Sequence, residues 1–129
     1  MGAEELVGAS DDGQARTGGT GMLGAWGCCG GGAGVNRLAG RRPDLAAAVW
    51  FYGAGPSAAD VARIKAPLLI HNAGLDERIN AAWPAFESAL KANGVKHEMF
   101  VYPNANHGFH NHSTPRYDED AATLAWSRT

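Results

Sequence analysis

The chain has little charge to spare: eleven Lys and Arg stand against thirteen Asp and Glu, a net −2. Without a basic stripe to track phosphates, no nucleic acid partner is expected. Long apolar runs are also missing. None approaches the roughly 20 residues needed to cross a bilayer, so no membrane partner is expected either. Cysteine is scarce: Cys28 and Cys29 are the only two, and being adjacent they close no ordinary disulfide loop. That argues against an oxidised, secreted scaffold. His107, His110 and His112 cluster on one polar stretch far in sequence from the thiols, whereas a structural zinc site needs about four convergent ligands. These histidines, with His71 and His97, read as solvated or hydrogen-bonded, and neither a metal nor a cofactor is expected. The start, Met1-Gly2-Ala3-Glu4-Glu5, has no apolar core of a signal peptide, and Leu6 stands where a myristoylation motif wants Ser or Thr. A cytoplasmic protein is the expectation.

What the chain does have is glycine, 18 of them, within 129 residues of which 45% are hydrophobic. That is enough for one domain with a core. The glycines concentrate at Gly27-Cys28-Cys29-Gly30-Gly31-Gly32, directly after the apolar Met22-Leu23-Gly24-Ala25-Trp26. A strand that reverses into a helix within a few residues holds its turning residue in a strained conformation, side chain raised at the sheet's end. The positions two before and two after must then be small. Gly27 and Gly31 meet that demand around Cys29, whereas a turn centred on Cys28 would need Trp26 to be small. Cys29 is the candidate nucleophile.

Residues 1–20, rich in Gly, Asp, Thr and Ser and without a period, read as a flexible or linker-like segment ahead of a unit spanning 21–129. Beyond them short apolar runs alternate with helical patterns. Helices are predicted over 31–41, 57–65, 80–92 and 117–128, and strands over 22–26, 45–52, 67–71 and 96–102. Continuous apolar strands separated by helices indicate an α/β fold with a mostly parallel sheet and helices on both faces. Asp76 then falls just past the strand ending near His71, and His107 just past the strand ending at Tyr102. In a parallel sheet the carboxyl ends share one edge, where ligands bind. Nucleophile, acid and base reach that edge in the chain order of an α/β-hydrolase.

Three segments carry a closer likeness: Gly27-Cys28-Cys29-Gly30-Gly31-Gly32, Ala73-Gly74-Leu75-Asp76-Glu77-Arg78-Ile79-Asn80, and Tyr102-Pro103-Asn104-Ala105-Asn106-His107-Gly108-Phe109. Together they resemble the dienelactone hydrolase (carboxymethylenebutenolidase) family, whose acid lies a little under fifty residues past the cysteine and whose base lies about thirty further on. Phe51-Tyr52-Gly53 and Thr114-Pro115-Arg116-Tyr117-Asp118 share the likeness. The resemblance implies a partial α/β-hydrolase fold, the C-terminal portion, with the N-terminal strands missing. It also implies hydrolysis of a small-molecule ester or enol lactone through a Cys29-Asp76-His107 triad and an acyl-enzyme. The Gly30 N–H would stabilise the oxyanion, and a helix amino terminus beside a histidine would favour the thiolate.

The departures from the family pattern are specific. A second oxyanion donor comes from a loop upstream of the elbow in such hydrolases. Asn111 stands where the family carries a carboxylate-binding arginine, so Arg78 and Arg116 become the candidates for that task, and Tyr52 for walling the pocket. Gly30 replaces a bulkier aromatic residue. A partial sheet would also expose a strand edge through which the chain could self-associate. A second reading therefore stays open: a catalytically silent α/β-hydrolase fragment that serves as an assembly or binding module. A phosphate-binding glycine loop matches poorly, since Gly27 to Gly32 lacks the G-x-G-x-x-G spacing.

Overall fold

Four apolar runs become the four strands of one sheet, all parallel, in the order β1-β2-β3-β4. A computed structural model describes residues 3–15 and 18–129. The elements are α1 (Ala3–Ala15), β1 (Gly24–Cys28), α2 (Gly30–Arg41), β2 (Ala47–Phe51), α3 (Ala58–Val61), β3 (Leu68–Ala73), α4 (Glu77–Ala92), β4 (His97–Tyr102) and α5 (Glu119–Arg128). Readings that rest on Met1 and Gly2 fall outside the described residues.

Alternation along the strands gives the sheet two apolar faces. Trp50 and Ala48 of β2 and Leu68 and Ile70 of β3 point to one face, under Val35 and Leu38 of α2, Val61 of α3 and Leu90 of α4. Phe51, Ala73 and Tyr102 serve the other, with Phe109 and with Ala122 and Ala125 of α5. Successive parallel crossovers of one hand place α2, α3 and α4 together on the first face. The second face is covered by α5 and the loop before it. Large side chains buried this completely contribute about 1.5–3 kcal/mol each.

The expectation of a flexible segment over 1–20 is corrected over residues 3–15, which form α1. Local pattern does not reveal it because α1 is held by tertiary contacts, the usual source of helix stability in proteins. Leu6 and Val7 pack on the first-face core, and Leu6 rests against Gly34 of α2. Arg42, buried after α2, reaches Ser10 at 2.9 Å, Asp11 at 2.5 Å and Gln14 at 2.5 Å, while also pairing with Asp44. Glu4 pairs with Arg41.

β2 and β3 each lie between two strands, whereas the outer sides of β1 and β4 carry no strand among the described residues. Trp26 on β1 stays half exposed, in edge contact with Trp126 of α5.

Candidate active site

Every site residue expected from the sequence lies at or near the carboxyl ends of the strands, and each is put there by a local device. Cys29 follows directly on β1 and takes the N-cap position of α2, with φ 50 and ψ −121, a conformation rarely tolerated by a side chain. Its N–H donates to the Phe51 carbonyl at 3.1 Å, which fixes the turn against β2. A Cβ at Gly27 would come within 2.5 Å of the Gly31 carbonyl oxygen, so the glycine two before Cys29 is obligatory. The expectation for Gly31 is corrected: a Cβ there meets nothing within 4 Å. The tight position is Gly32, where a Cβ would sit 3.1 Å from Gly53 and 3.2 Å from the Phe51 carbonyl, because α2 crosses the end of β2 at that point.

Asp76 and His107 are brought together by two loops that touch. A Cβ on Gly74 would lie 2.5 Å from the Pro103 carbonyl oxygen, and the Leu75 N–H donates to Ala105 at 3.1 Å. Asn80 clamps the first loop by donating to the carbonyls of Ala73 and Gly74. Asp76 Oδ1 accepts the Ile79 N–H and so caps α4, and Oδ2 lies 2.5 Å from His107 Nδ1. One carboxylate thus starts a helix and orients an imidazole. The sequence reading begins this helix at 80 and misses that double use; an aspartate three residues before a helical stripe was the available signal. Beyond His107, Gly108 takes φ +91, which favours glycine, and Phe109 is fully buried against Tyr102 and Tyr52.

Charge of both signs acts on the thiols. The Cys29 thiol is pushed above its ordinary value, by burial first and by the Asp76 carboxylate; Arg116 pulls it down. Cys28, also raised by burial, is held down in part by a hydrogen bond from Tyr52.

The substrate-contact candidates separate. Arg116 is exposed and acts electrostatically on Cys29. Arg78, exposed in the first turn of α4, makes no hydrogen bond or ion pair with the described residues. Tyr52, expected to wall the pocket, is 1% exposed and makes its contacts inside the protein. Gly30 is the first residue of α2, exposed, one position past Cys29.

This geometry has close counterparts. The model of the dienelactone hydrolase family matches residues 12–129. The chain belongs to the dienelactone hydrolase family. A relative from Saccharolobus solfataricus, assigned as a carboxymethylenebutenolidase, is 36% identical over 103 residues, covering 79% of this chain and 40% of its own length. One from Methylorubrum extorquens with the same assignment is 35% identical over 120 residues, with 84% and 41% covered. A dienelactone hydrolase structure from Klebsiella pneumoniae superposes with a TM-score of 0.88 at 28% identity, over 98% of this chain and 57% of that one. The fold is thus part of an α/β-hydrolase, and the chain spans about two fifths of the curated relatives it matches. Among the described residues no helix is long and apolar enough to cross a membrane.

Proposed function

We propose that the dienelactone hydrolase-like portion, residues 21–129, carries the chemistry of a carboxylic ester or lactone hydrolase, with Cys29 as nucleophile, His107 as base and Asp76 as its orienting acid. The observation that carries this reading is the 2.5 Å contact between His107 Nδ1 and the buried Asp76, on the same strand ends as a strained Cys29. With Nδ1 engaged by Asp76, Nε2 is the nitrogen left to accept a proton. Attack and proton transfer would be coupled: His107 takes the Sγ proton as sulfur adds to the carbonyl carbon. The Gly30 N–H, at the amino terminus of α2, would donate to the oxyanion that forms. Collapse expels the alcohol or enolate, which receives the proton from His107. Water then attacks the thioester, with His107 again as base, and releases the acid. Arg116, the cation acting on Cys29, is the better placed of the two arginines to hold a substrate carboxylate; a dienelactone-like enol lactone would supply one. The free cysteines suit a reducing compartment, so we place the protein in the cytoplasm. We also propose self-association through the outer side of β1, which light scattering would detect.

Turnover of p-nitrophenyl acetate tests this reading. Cys29→Ala removes it and Cys28→Ala keeps it. If neither substitution changes turnover, the silent-module reading, favoured by the open side of β1, takes its place.

A further inference from the structure

We propose that Tyr52 is a positioning residue, a buried strut whose hydroxyl and ring hold the His107 loop in register with the Cys29 turn. The inference deepens the assignment of Cys29 and His107 as nucleophile and base, and rests on it.

Backbone strain points to it first. Among the described residues Cys29 and Tyr52 are the only non-glycine positions with positive φ, 50 and 40. They are neighbours: Cys28 pairs with Phe51 in the parallel register, so each strained residue follows directly on its strand. An aromatic side chain at φ 40 is a rarity that persists only where surroundings over-determine it. Here they do. The Tyr52 N–H donates to the His71 carbonyl at 2.7 Å, and Gly53 follows in a space where a Cβ would sit 2.8 Å from Gly32. The chain must turn sharply to clear α2, and the turn sends the Tyr52 side chain under the rim rather than out to solvent.

The side chain is then placed between the two halves of the site. Its ring lies 4.8 Å from the His107 imidazole and 5.4 Å, edge-on, from Phe109, which anchors the same loop. Its hydroxyl is acted on by the backbone N–H of His110 and by the Cys28 thiol, the residue preceding the nucleophile. Burial, the largest influence on that hydroxyl, keeps it protonated and so able to donate at every working pH. One side chain therefore touches the base, the loop that carries it, and the strand that delivers the nucleophile. The ring contact acts on the base directly, and the His110 N–H lies on the loop that carries it.

Tyr52→Phe removes the hydroxyl and keeps the ring, and Cys29→Ala serves as the parallel control. Two readouts are taken well below the melting temperature: steady-state hydrolysis of p-nitrophenyl acetate, and amide hydrogen exchange over residues 107–110. The expected result is a kcat lower by about tenfold with KM within about twofold, together with faster exchange at His110, whose acceptor has gone. A residue that only supported the fold would lower the melting temperature without splitting kcat from KM. Unchanged exchange over 107–110 overturns the proposal whatever the turnover does, and so does faster exchange with an unaltered kcat. Turnover retained in Cys29→Ala instead overturns the nucleophile assignment, and with it the positioning role.

Discussion

The proposed acid–base half of the site, Asp76 and His107, and the proposed nucleophile half, Cys29, are built to different standards. Asp76 is buried, shares its two oxygens between a helix cap and His107, and sits on loops locked by Gly74, Asn80 and Phe109. Cys29 is exposed at the end of β1, whose outer side has no strand among the described residues. The carboxylate follows β3, which has neighbours on both sides; the thiol and the imidazole each follow an edge strand, but the imidazole's loop is held by its contacts with the Asp76 loop. Precision at a site thus depends on how many packed elements hold the segment that carries each group.

The largest break in this comparison is predicted at its best-made contact. Asp76→Asn keeps the α4 cap, since Asn caps as well as Asp, but loses the charge that stabilises protonated His107; turnover should fall by about a thousandfold or more in p-nitrophenyl acetate assays with melting little changed. A smaller fall would mean that the acid–base half is less essential than its geometry implies. Next in size is Phe109→Ala, which opens a cavity beneath the His107 loop and should cost about 3–5 kcal/mol in urea unfolding, more than any single truncation on the exposed Cys29 side.

Below both halves lies His71, fully buried, hydrogen-bonded to the Tyr102 hydroxyl and stacked on Phe51, with its pKa lowered to about 4, mainly by burial. Its folded pKa lies below its ordinary 6.5, so the unfolded chain takes up the proton first. Stability is therefore kept above pH 6.5 and lost as pH falls toward 4, by at most about 3 kcal/mol from this residue. Denaturant midpoints between pH 7 and pH 4 measure the loss, and His71→Phe should flatten it. The smallest effect belongs to the exposed half. Iodoacetamide should alkylate Cys29 with a midpoint above its ordinary 9.0, and Arg116→Ala should raise that midpoint slightly further, because an exposed cation is screened. A downward shift would assign Arg116 to something other than the thiol.

The two halves also differ in how far they can be read from sequence. Continuous apolar runs separated by helical patterns were sufficient for the four strands and their parallel direction, because period and turn chemistry are local, whereas the strand order came from the tertiary structure. The glycine run marked the turn at Cys29 for the same reason, while the spacing of Asp76 and His107 behind it entered through the resemblance to the family. Other features depend on which elements meet. Gly32 rather than Gly31 is the crowded glycine because α2 crosses the end of β2. Residues 3–15 form a helix because Arg42 and Gly34, more than eighteen positions on, receive it. Asp76 serves a helix and a histidine at once because two loops touch at Gly74 and Pro103.

Sequence by itself determined the strand pattern, the strained cysteine turn and the family, since each rests on residue type and short-range spacing. Tertiary structure alone decided that Tyr52 turns inward, and that the carboxylate is buried while the cysteine is not. Burial and electrostatic surroundings are properties of what packs around a residue, and residues distant in the chain supply them.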